Sequence, residues 1–299
     1  MKTSTWQSEG APRRGHLKYL LLCAACAIPC ACASLGGQSH ALPKEMTDQE
    51  LVNTLDSGDA RQRAEACARL GDNKSTLAIQ RVGEAAEKDA SQSTRESCID
   101  ALAKIGTPAS ATVLGRIAKD EQDEEMRIRA LDALDKVDAE EASVPTVTQI
   151  LKNDKSLRVR KRAAEIIGEK KWKSGIPALS ELVKSNDAPL ELRTESLTQL
   201  FKMGDASANE VVFQTMTRSD SVDLRRKAAE LVADHPPASA FKPLNQALSD
   251  QDEQVATSAI EGLVKLKDPS AATALRQAAQ QRTDKLADKM NEAADKLSK

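Results

Sequence analysis

The residue types that most often carry chemistry are scarce in this chain. Its 299 residues include only three histidines, His16, His40 and His235. His235 lies in an Asp-His-Pro-Pro segment with no serine or cysteine tied to it by a motif, and the chain has no Gly-rich phosphate loop and no Gly-x-Ser-x-Gly turn. The sequence therefore predicts a protein that is not an enzyme and that needs no metal or cofactor.

Carboxylates are abundant, but they are not arranged in the order of a calcium-binding loop. The acidic run at 120–125 lacks the Asp-x-Asp-x-Asp-Gly order of a calcium loop. Lysine and arginine total 43 against 45 acidic residues, so no global field attracts polyanions. Aromatic residues are only 2% of the chain, which removes the stacking that single-stranded nucleic acids use. We expect no nucleic-acid partner.

The first 33 residues have the organisation of a secretory signal peptide. Lys2, Arg13, Arg14 and Lys18 precede an apolar run at 19–28, and Ala-Cys-Ala follows at 31–33. A basic region, a short apolar region and small residues at a cleavage site are typical of such signals. The apolar run is short for a membrane-spanning helix, although an uncleaved anchor remains an alternative. We predict export to the periplasm or cell envelope.

The export route and the anchoring of the mature chain stay open. Arg-Arg-Gly-His-Leu-Lys resembles the twin-arginine export motif, with His16 in place of the usual Phe, but paired basic residues also occur in ordinary signals. Bacterial lipoproteins are acylated on a cysteine at this kind of boundary, and the candidates are Cys26, Cys30 and Cys32. Membrane contact is expected only through such an anchor. Residues 34–46 are predicted to be a flexible tether.

One pattern recurs through the rest of the chain. It consists of an aliphatic residue, an arginine, two polar residues, a small residue, and an aliphatic residue four places later, and the copies begin 31 to 34 residues apart. The arginines are Arg61, Arg95, Arg127, Arg160, Arg193 and Arg225, and a seventh copy has Ala256 instead. Offsets of four lie on one helical face, so each copy predicts an amphipathic helix. A second apolar segment separates successive copies, and the aspartates between the segments are predicted to start helices.

The Val-Arg or Leu-Arg opening, the small residue and the turn aspartate resemble HEAT repeats, especially the short bacterial form. The resemblance covers residues 47–268. It implies an all-α fold, a right-handed α-solenoid of about seven stacked helix-turn-helix repeats. At 269–299 an apolar stripe predicts one C-terminal capping helix, docked up to Arg282 and frayed beyond it, in a monomeric protein.

The resemblance also implies a class of function. HEAT solenoids are mostly protein-binding scaffolds, although some HEAT-like proteins are bilin lyases or DNA glycosylases. We therefore expect an exported, non-catalytic scaffold of the bacterial envelope whose protein partners are unknown. The alternative is an enzyme-like HEAT protein of the lyase or glycosylase type.

Charged residues of the repeat are the candidate partner-binding groups. The recurring arginines either form a basic stripe or, as we favour, pair with turn aspartates in a ladder. A basic row and an acidic row follow one helical turn apart on the same helices, so Arg129–Asp132, Arg162–Glu165 and Arg226–Glu230 can pair. The candidates for partner binding are Arg129, Lys161, Arg162, Arg226, Lys227 and Trp172, a lone tryptophan in a lysine-rich loop.

Two residues have a second interpretation. Trp172 could instead cover the apolar groove between two helices, with no contact to a partner. Cys67 and Cys98, the cysteines outside the signal, could be buried small residues. Export would allow them to form a disulfide, but that bond needs Cα atoms about 5.5 Å apart, which is unusual between stacked helices. The sequence leaves this open.

Overall fold

Residues 41–298 form a helical repeat structure. The computed structural model describes this range, except for the side chains of Glu140 and Glu141. It contains α-helices and short 3-10 turns, and no strand occurs between residues 41 and 298. The predicted signal peptide, the three candidate lipidation cysteines and residues 34–40 of the predicted tether lie outside the described residues.

The helices form consecutive antiparallel pairs, here called units, in two layers. The first helices of the units are α1 Asp48–Ser57, α3 Ile79–Lys88, α5 Pro108–Asp120, α7 Glu140–Asn153, α9 Ile176–Lys184, α11 Ala206–Arg218, α13 Phe241–Ala247 and α15 Ala271–Gln280. The second helices are α2 Ala60–Asp72, α4 Gln92–Ile105, α6 Glu124–Asp135, α8 Leu157–Glu169, α10 Leu190–Met203, α12 Val222–Asp234, α14 Glu253–Leu266 and α16 Lys285–Leu297. Each helix packs against its counterpart in the next unit, which makes an α-solenoid with one continuous core.

The turns inside the units differ from the prediction in one respect. Asp59 caps the start of α2 as expected. Asp89 and Asp154 instead follow the last residue of α3 and α7, and Ser91 and Ser156 cap the next helices. Each of these aspartates accepts the backbone N–H of the serine two residues later, at 2.8 and 2.7 Å. Their carboxylates close the turn and face the neighbouring unit.

The repeat register predicted for the first unit is wrong by two residues. Arg63, and not Arg61, is the fourth residue of α2, the position that Arg95 and Arg127 occupy in α4 and α6. Ala66 and Leu70 are fully buried, whereas Ala64 is only partly buried. In the structural register Gln62 stands in place of the aliphatic opening residue, so the sequence pattern favours the wrong register.

Units one and two are covalently joined. A disulfide links Cys67 of α2 to Cys98 of α4, with their Cα atoms 4.9 Å apart. A Cβ added to Gly71, one turn further along α2, would lie 2.7 Å from the Cα of Ala101. The bond that the sequence leaves open is thus present, because Gly71 removes the side chain that would separate α2 from α4.

The C-terminal segment is a helix pair, so the predicted single capping helix is wrong. The chain leaves α15 at Gln280, and Asp284 caps the start of α16. Arg282 closes the turn by pairing with Asp284 and donating to the carbonyl oxygens of Leu248 and Asp250. Four residues of α16 are buried against α14 and α15, namely Leu286, Met290, Ala293 and Ala294. The segment after Arg282 is thus docked.

The last residues of the predicted tether also contact the fold. Leu42 and Met46 are packed, partly buried, against the core. Arg69 of α2 donates a hydrogen bond to the carbonyl oxygen of Pro43. Residues 41–46 therefore lie along the first unit.

Candidate protein-interaction face

Three of the repeat arginines form the predicted ladder. Each holds an aspartate of the next unit through Nε and Nη2, at 2.6 and 2.8 Å in Arg63–Asp89, 2.9 and 3.0 Å in Arg127–Asp154, and 2.8 and 3.2 Å in Arg225–Asp250. Their Nη1 atoms donate to backbone carbonyl oxygens of their own unit, namely those of Gly58, Glu121, Gln122 and Ser219. The Arg127 side chain is 2% exposed, and Asp154 is the counter-charge beside its buried guanidinium.

The other three arginines do not follow the ladder prediction. Arg95, Arg160 and Arg193 donate to the backbone carbonyl oxygens of Asp89, Leu151 and Val183, respectively. The residue of the next unit in the place of the aspartate is Glu121, Ser185 or Ser219. Glu121 is one methylene longer than aspartate, and its Oε1 accepts the backbone N–H groups of Gln122 and Asp123 in its own turn. The two serines have no carboxylate.

The basic row of the second helices pairs between units more than within helices. Arg129 Nη2 lies 2.7 Å from Asp100 of the preceding unit, so the predicted Arg129–Asp132 pair is wrong. Asp132 instead binds Arg162 of the following unit at 2.6 Å. The predicted Arg162–Glu165 pair is present at 3.5 Å. Burial lowers the pKa of Arg162, but its hydrogen bonds with Asp132 and Glu169 outweigh burial and raise the pKa.

In the sixth unit, Arg226 pairs with an aspartate of the following unit. Arg226 holds both carboxylate oxygens of Asp252 at 3.0 and 2.6 Å, so the predicted Arg226–Glu230 pair is wrong. This hydrogen bonding lowers the pKa of Asp252 to about 2. Glu230 lies 3.4 Å from Lys227. Most of the basic candidates are therefore already neutralised, and among residues 41–298 Lys161 has no ion-pair partner.

The row is interrupted at α10. Glu195 occupies the helical position that Arg129 and Arg162 occupy in α6 and α8. Burial raises the pKa of Glu165, and the charge of Glu195 raises it further. Glu195 is not among the residues predicted from the charged rows. The signal that could have found it is an acidic residue at a helical position that is basic in α6 and α8, a substitution that α2 shares at Glu65.

We call Lys161, Glu165, Glu195 and Lys202 the α8–α10 face. Glu165 is 35% exposed, and within residues 41–298 its one ion pair is the long contact with Arg162. Glu195 accepts a hydrogen bond from Gln199 Nε2 at 2.6 Å, and within residues 41–298 it has no basic partner. Lys202 is exposed. This face therefore carries charges that another protein can pair with.

Trp172 is not part of that face. It lies between α8 and the 3-10 turn Lys173–Gly175, and only 3% of it is exposed. It belongs to the hydrophobic core, so its interpretation as a partner contact is wrong and it covers the groove between helices. The neighbouring Lys173 pairs with Asp205 at 2.9 Å, and its hydrogen bond lowers the pKa of that carboxyl.

Between residues 41 and 298, no group of three or more His, Cys, Asp or Glu side chains is arranged to hold a metal ion. None of the helices in that range has the length and apolar character needed to cross a bilayer. His235 is exposed in the loop after α12.

Comparison with known families and structures gives one family. A family model of HEAT repeats matches residues 49–135 and 209–290, together more than half of the chain. A search of the curated proteins found no match.

Solved structures similar to the chain are helical-repeat proteins. The complex of CpcE and CpcF of phycocyanin lyase from Nostoc sp. PCC7120 has 16% identity and a TM-score of 0.40, over 86% of this chain and 98% of that one. Human deoxyhypusine hydroxylase has 18% identity and a TM-score of 0.38, over 84% and 95%. Importin beta has 16% identity and a TM-score of 0.49, over 82% of this chain and 40% of that one. At such identities and scores, these likenesses assign no activity.

Proposed function

The chain belongs to the HEAT-repeat family, and we propose that it is a non-catalytic scaffold that binds a protein partner in the bacterial cell envelope. The observation that carries this proposal is the interruption of the charge row at α10. Every other basic group of the row except Lys161 is paired inside the solenoid, whereas Glu165 and Glu195 face each other as like charges. A partner with basic side chains would relieve this repulsion and gain ion pairs at the α8–α10 face.

The alternative of a lyase or glycosylase would need converging catalytic groups. A groove of ≈ 530 Å³ on the second-helix layer is lined by Ala68, Ser97, Asp100, Ala101, Ala103, Lys104 and Lys136. It has one carboxylate, no aromatic side chain and no nucleophile paired with a base, which supports a scaffold over an enzyme.

Export is part of the proposal. The signal-like residues 1–33 support it, as does the Cys67–Cys98 disulfide, because such bonds persist in oxidising compartments. Fractionation should find the mature chain outside the cytoplasm, starting near Ser34 or, if acylated, at Cys26, Cys30 or Cys32. A cytoplasmic product beginning at Met1 would contradict export.

The scaffold itself is tested by site-specific photo-crosslinking in the source organism. A crosslinker at Thr198, between Glu195 and Lys202 in α10, should capture a defined protein, and one at the exposed Gln80 of α3 should not. The E165R/E195R variant should lose that product. Capture of the same proteins at both positions would contradict a specific interaction face. We also propose a monomer, since the apolar residues of α16 are buried within the fold.

A further inference from the structure

A basic pocket lies at the turn edge of the solenoid, between units five and six. Its volume is ≈ 270 Å³, and its lining includes Lys184, Arg193, Arg218, Ser219, Asp220 and Ser221. Within residues 41–298, none of its three basic side chains has an ion pair. The pocket therefore combines three unneutralised positive charges with one carboxylate, and it is separate from the α8–α10 face.

Three other junctions between units show which group normally lies beside the repeat arginine. In each, an aspartate at the turn of the next unit fits into the fork of the repeat arginine. Ser219 occupies the equivalent turn position in unit six, with φ −68° and ψ 136°, against −62° and 137° for Asp89 and −62° and 141° for Asp154. The backbone is thus the same, and only the carboxylate is missing.

Ser219 reproduces the local part of the aspartate's role. Its Oγ accepts the backbone N–H of Ser221 at 3.3 Å, as Asp89 accepts that of Ser91. It does not reach the guanidinium of Arg193. Units five and six therefore keep the turn while leaving the arginine without its acidic partner.

The hydrogen bonds of Arg193 are incomplete as a result. Its Nε and Nη2, the two atoms that hold the aspartate in the other units, share the single carbonyl oxygen of Val183 at 3.2 and 3.1 Å. Its Nη1 has no acceptor among residues 41–298. Nη1 and the second N–H of Nη2 therefore form a free edge, and such an edge in a pocket is suited to a planar, two-oxygen anion.

We propose that this pocket binds a carboxylate group supplied by another molecule, held by the free Nη1–Nη2 edge of Arg193 with Lys184 and Arg218 beside it. The repeat itself selects carboxylate, because that is the group its equivalent arginines bind. Asp220 in the lining disfavours a doubly charged phosphate. The carboxylate can come from a peptide C-terminus, an acidic side chain or a small acid, and the proposal does not depend on the function proposed for the α8–α10 face.

The experiment is a titration of the purified, isotopically labelled chain followed by the NMR signals of arginine Nε–H and backbone amides. The probes are acetate, a tripeptide Ac-Ala-Ala-Ala with a free C-terminus, its C-terminal amide, Ac-Ala-Glu-Ala amide and inorganic phosphate. Carboxylate probes should shift the Arg193, Ser219 and Ser221 signals saturably, and the tri-alanine amide should not. The relative affinities of the two peptide carboxylates and acetate identify the source.

Two variants test the assignment. Ser219→Asp supplies an internal carboxylate on an unchanged backbone, so it should raise the Tm and weaken carboxylate binding at least tenfold. Ser93→Asp, an equal charge change at an exposed site of α4, should leave binding unchanged. Saturation by phosphate at lower concentration than by any carboxylate, the absence of shifts with all carboxylates, or undiminished binding by Ser219→Asp would each overturn the proposal.

Discussion

The junction between units three and four and the junction between units five and six are built on the same backbone but differ in one side chain. In the former, which we call closed, Arg127 is buried and holds Asp154 with two hydrogen bonds. In the latter, which we call open, the next unit has Ser219 in place of the aspartate, and Arg193 donates to the backbone carbonyl oxygen of Val183. The difference shows that the repeat arginine occurs whether or not the next unit supplies a carboxylate.

The arginine has a reason to recur without the aspartate. In closed and open junctions alike it donates to carbonyl oxygens at the end of the first helix of its own unit, as Arg127 does to Glu121 and Arg193 does to Val183. Those carbonyls lie at a helix C-terminus and have no partner within their helix. The turn residue of the next unit is free to vary, and it decides whether the junction is closed.

Breaking the closed junction should have the largest effect. Asp154→Ala leaves the Arg127 guanidinium buried without a counter-charge, which should reduce the free energy of unfolding by about 3–5 kcal/mol. Ser219→Ala, at the same position of the open junction, removes only a turn hydrogen bond and should cost about 1 kcal/mol or less. Urea denaturation of both variants measures the difference. Equal losses would contradict the distinction between the junctions.

The junction of units one and two is closed twice, by Arg63–Asp89 and by the Cys67–Cys98 disulfide. The cysteines are 31 residues apart, and opening a loop of this length should cost about 3–4 kcal/mol on the chain-entropy estimate. Thermal unfolding with and without reductant measures this loss. The Cys67→Ala/Cys98→Ala variant is the control and should be insensitive to reductant. A reductant-sensitive Tm in that variant would show that the effect lies elsewhere.

Placing the first unit in the ladder depends on its corrected register. Ala66 is fully buried at the close approach of α2, so Ala66→Leu should overpack the helices and cost about 1–3 kcal/mol. Ala64 is partly exposed, and Ala64→Leu should change stability by less than about 1 kcal/mol. The free energies of unfolding of the two variants decide the register. A larger loss from Ala64→Leu would restore the register that the sequence suggested.

The helical architecture follows from the sequence because period and spacing are repeated many times. The breaks inside the repeat do not follow as easily. In the C-terminal segment Asp284 caps the start of α16, and Arg282 fixes the turn before it by donating to the carbonyl oxygen of Leu248. The spacing of apolar residues continues across this turn, so it gives no sign that the helix is divided. Cys67 and Cys98 approach because Gly71 faces Ala101, a contact between residues of different units that no local pattern records.

The candidate site was predictable only in part. The charged rows of the second helices can be found from their positions, and Arg162–Glu165 pairs as spacing suggests. Pairing between units depends on the offset of one helix relative to the next, which the sequence does not specify. For this reason the pairing of Arg129 with Asp100, and not with Asp132, could not be predicted. The burial of Trp172 likewise depends on the groove that two packed helices leave.

The smallest expected effect comes from repairing the interrupted charge row. Glu195→Arg places a basic group beside Glu165, as Arg129 lies beside Asp100, and should raise stability at pH 7 by about 0.5–1 kcal/mol because the pair is partly exposed. In the unmodified chain burial and Glu195 raise the pKa of Glu165, so protonation favours the folded state and this group adds stability as the pH falls through its folded pKa. The variant should lower the pKa of Glu165 and remove that gain on acidification. Glu261→Arg, an equal charge change at an exposed position of α14, is the control. A carboxyl NMR titration that finds the Glu165 pKa unchanged by Glu195→Arg would show that the two helices do not share a charge row.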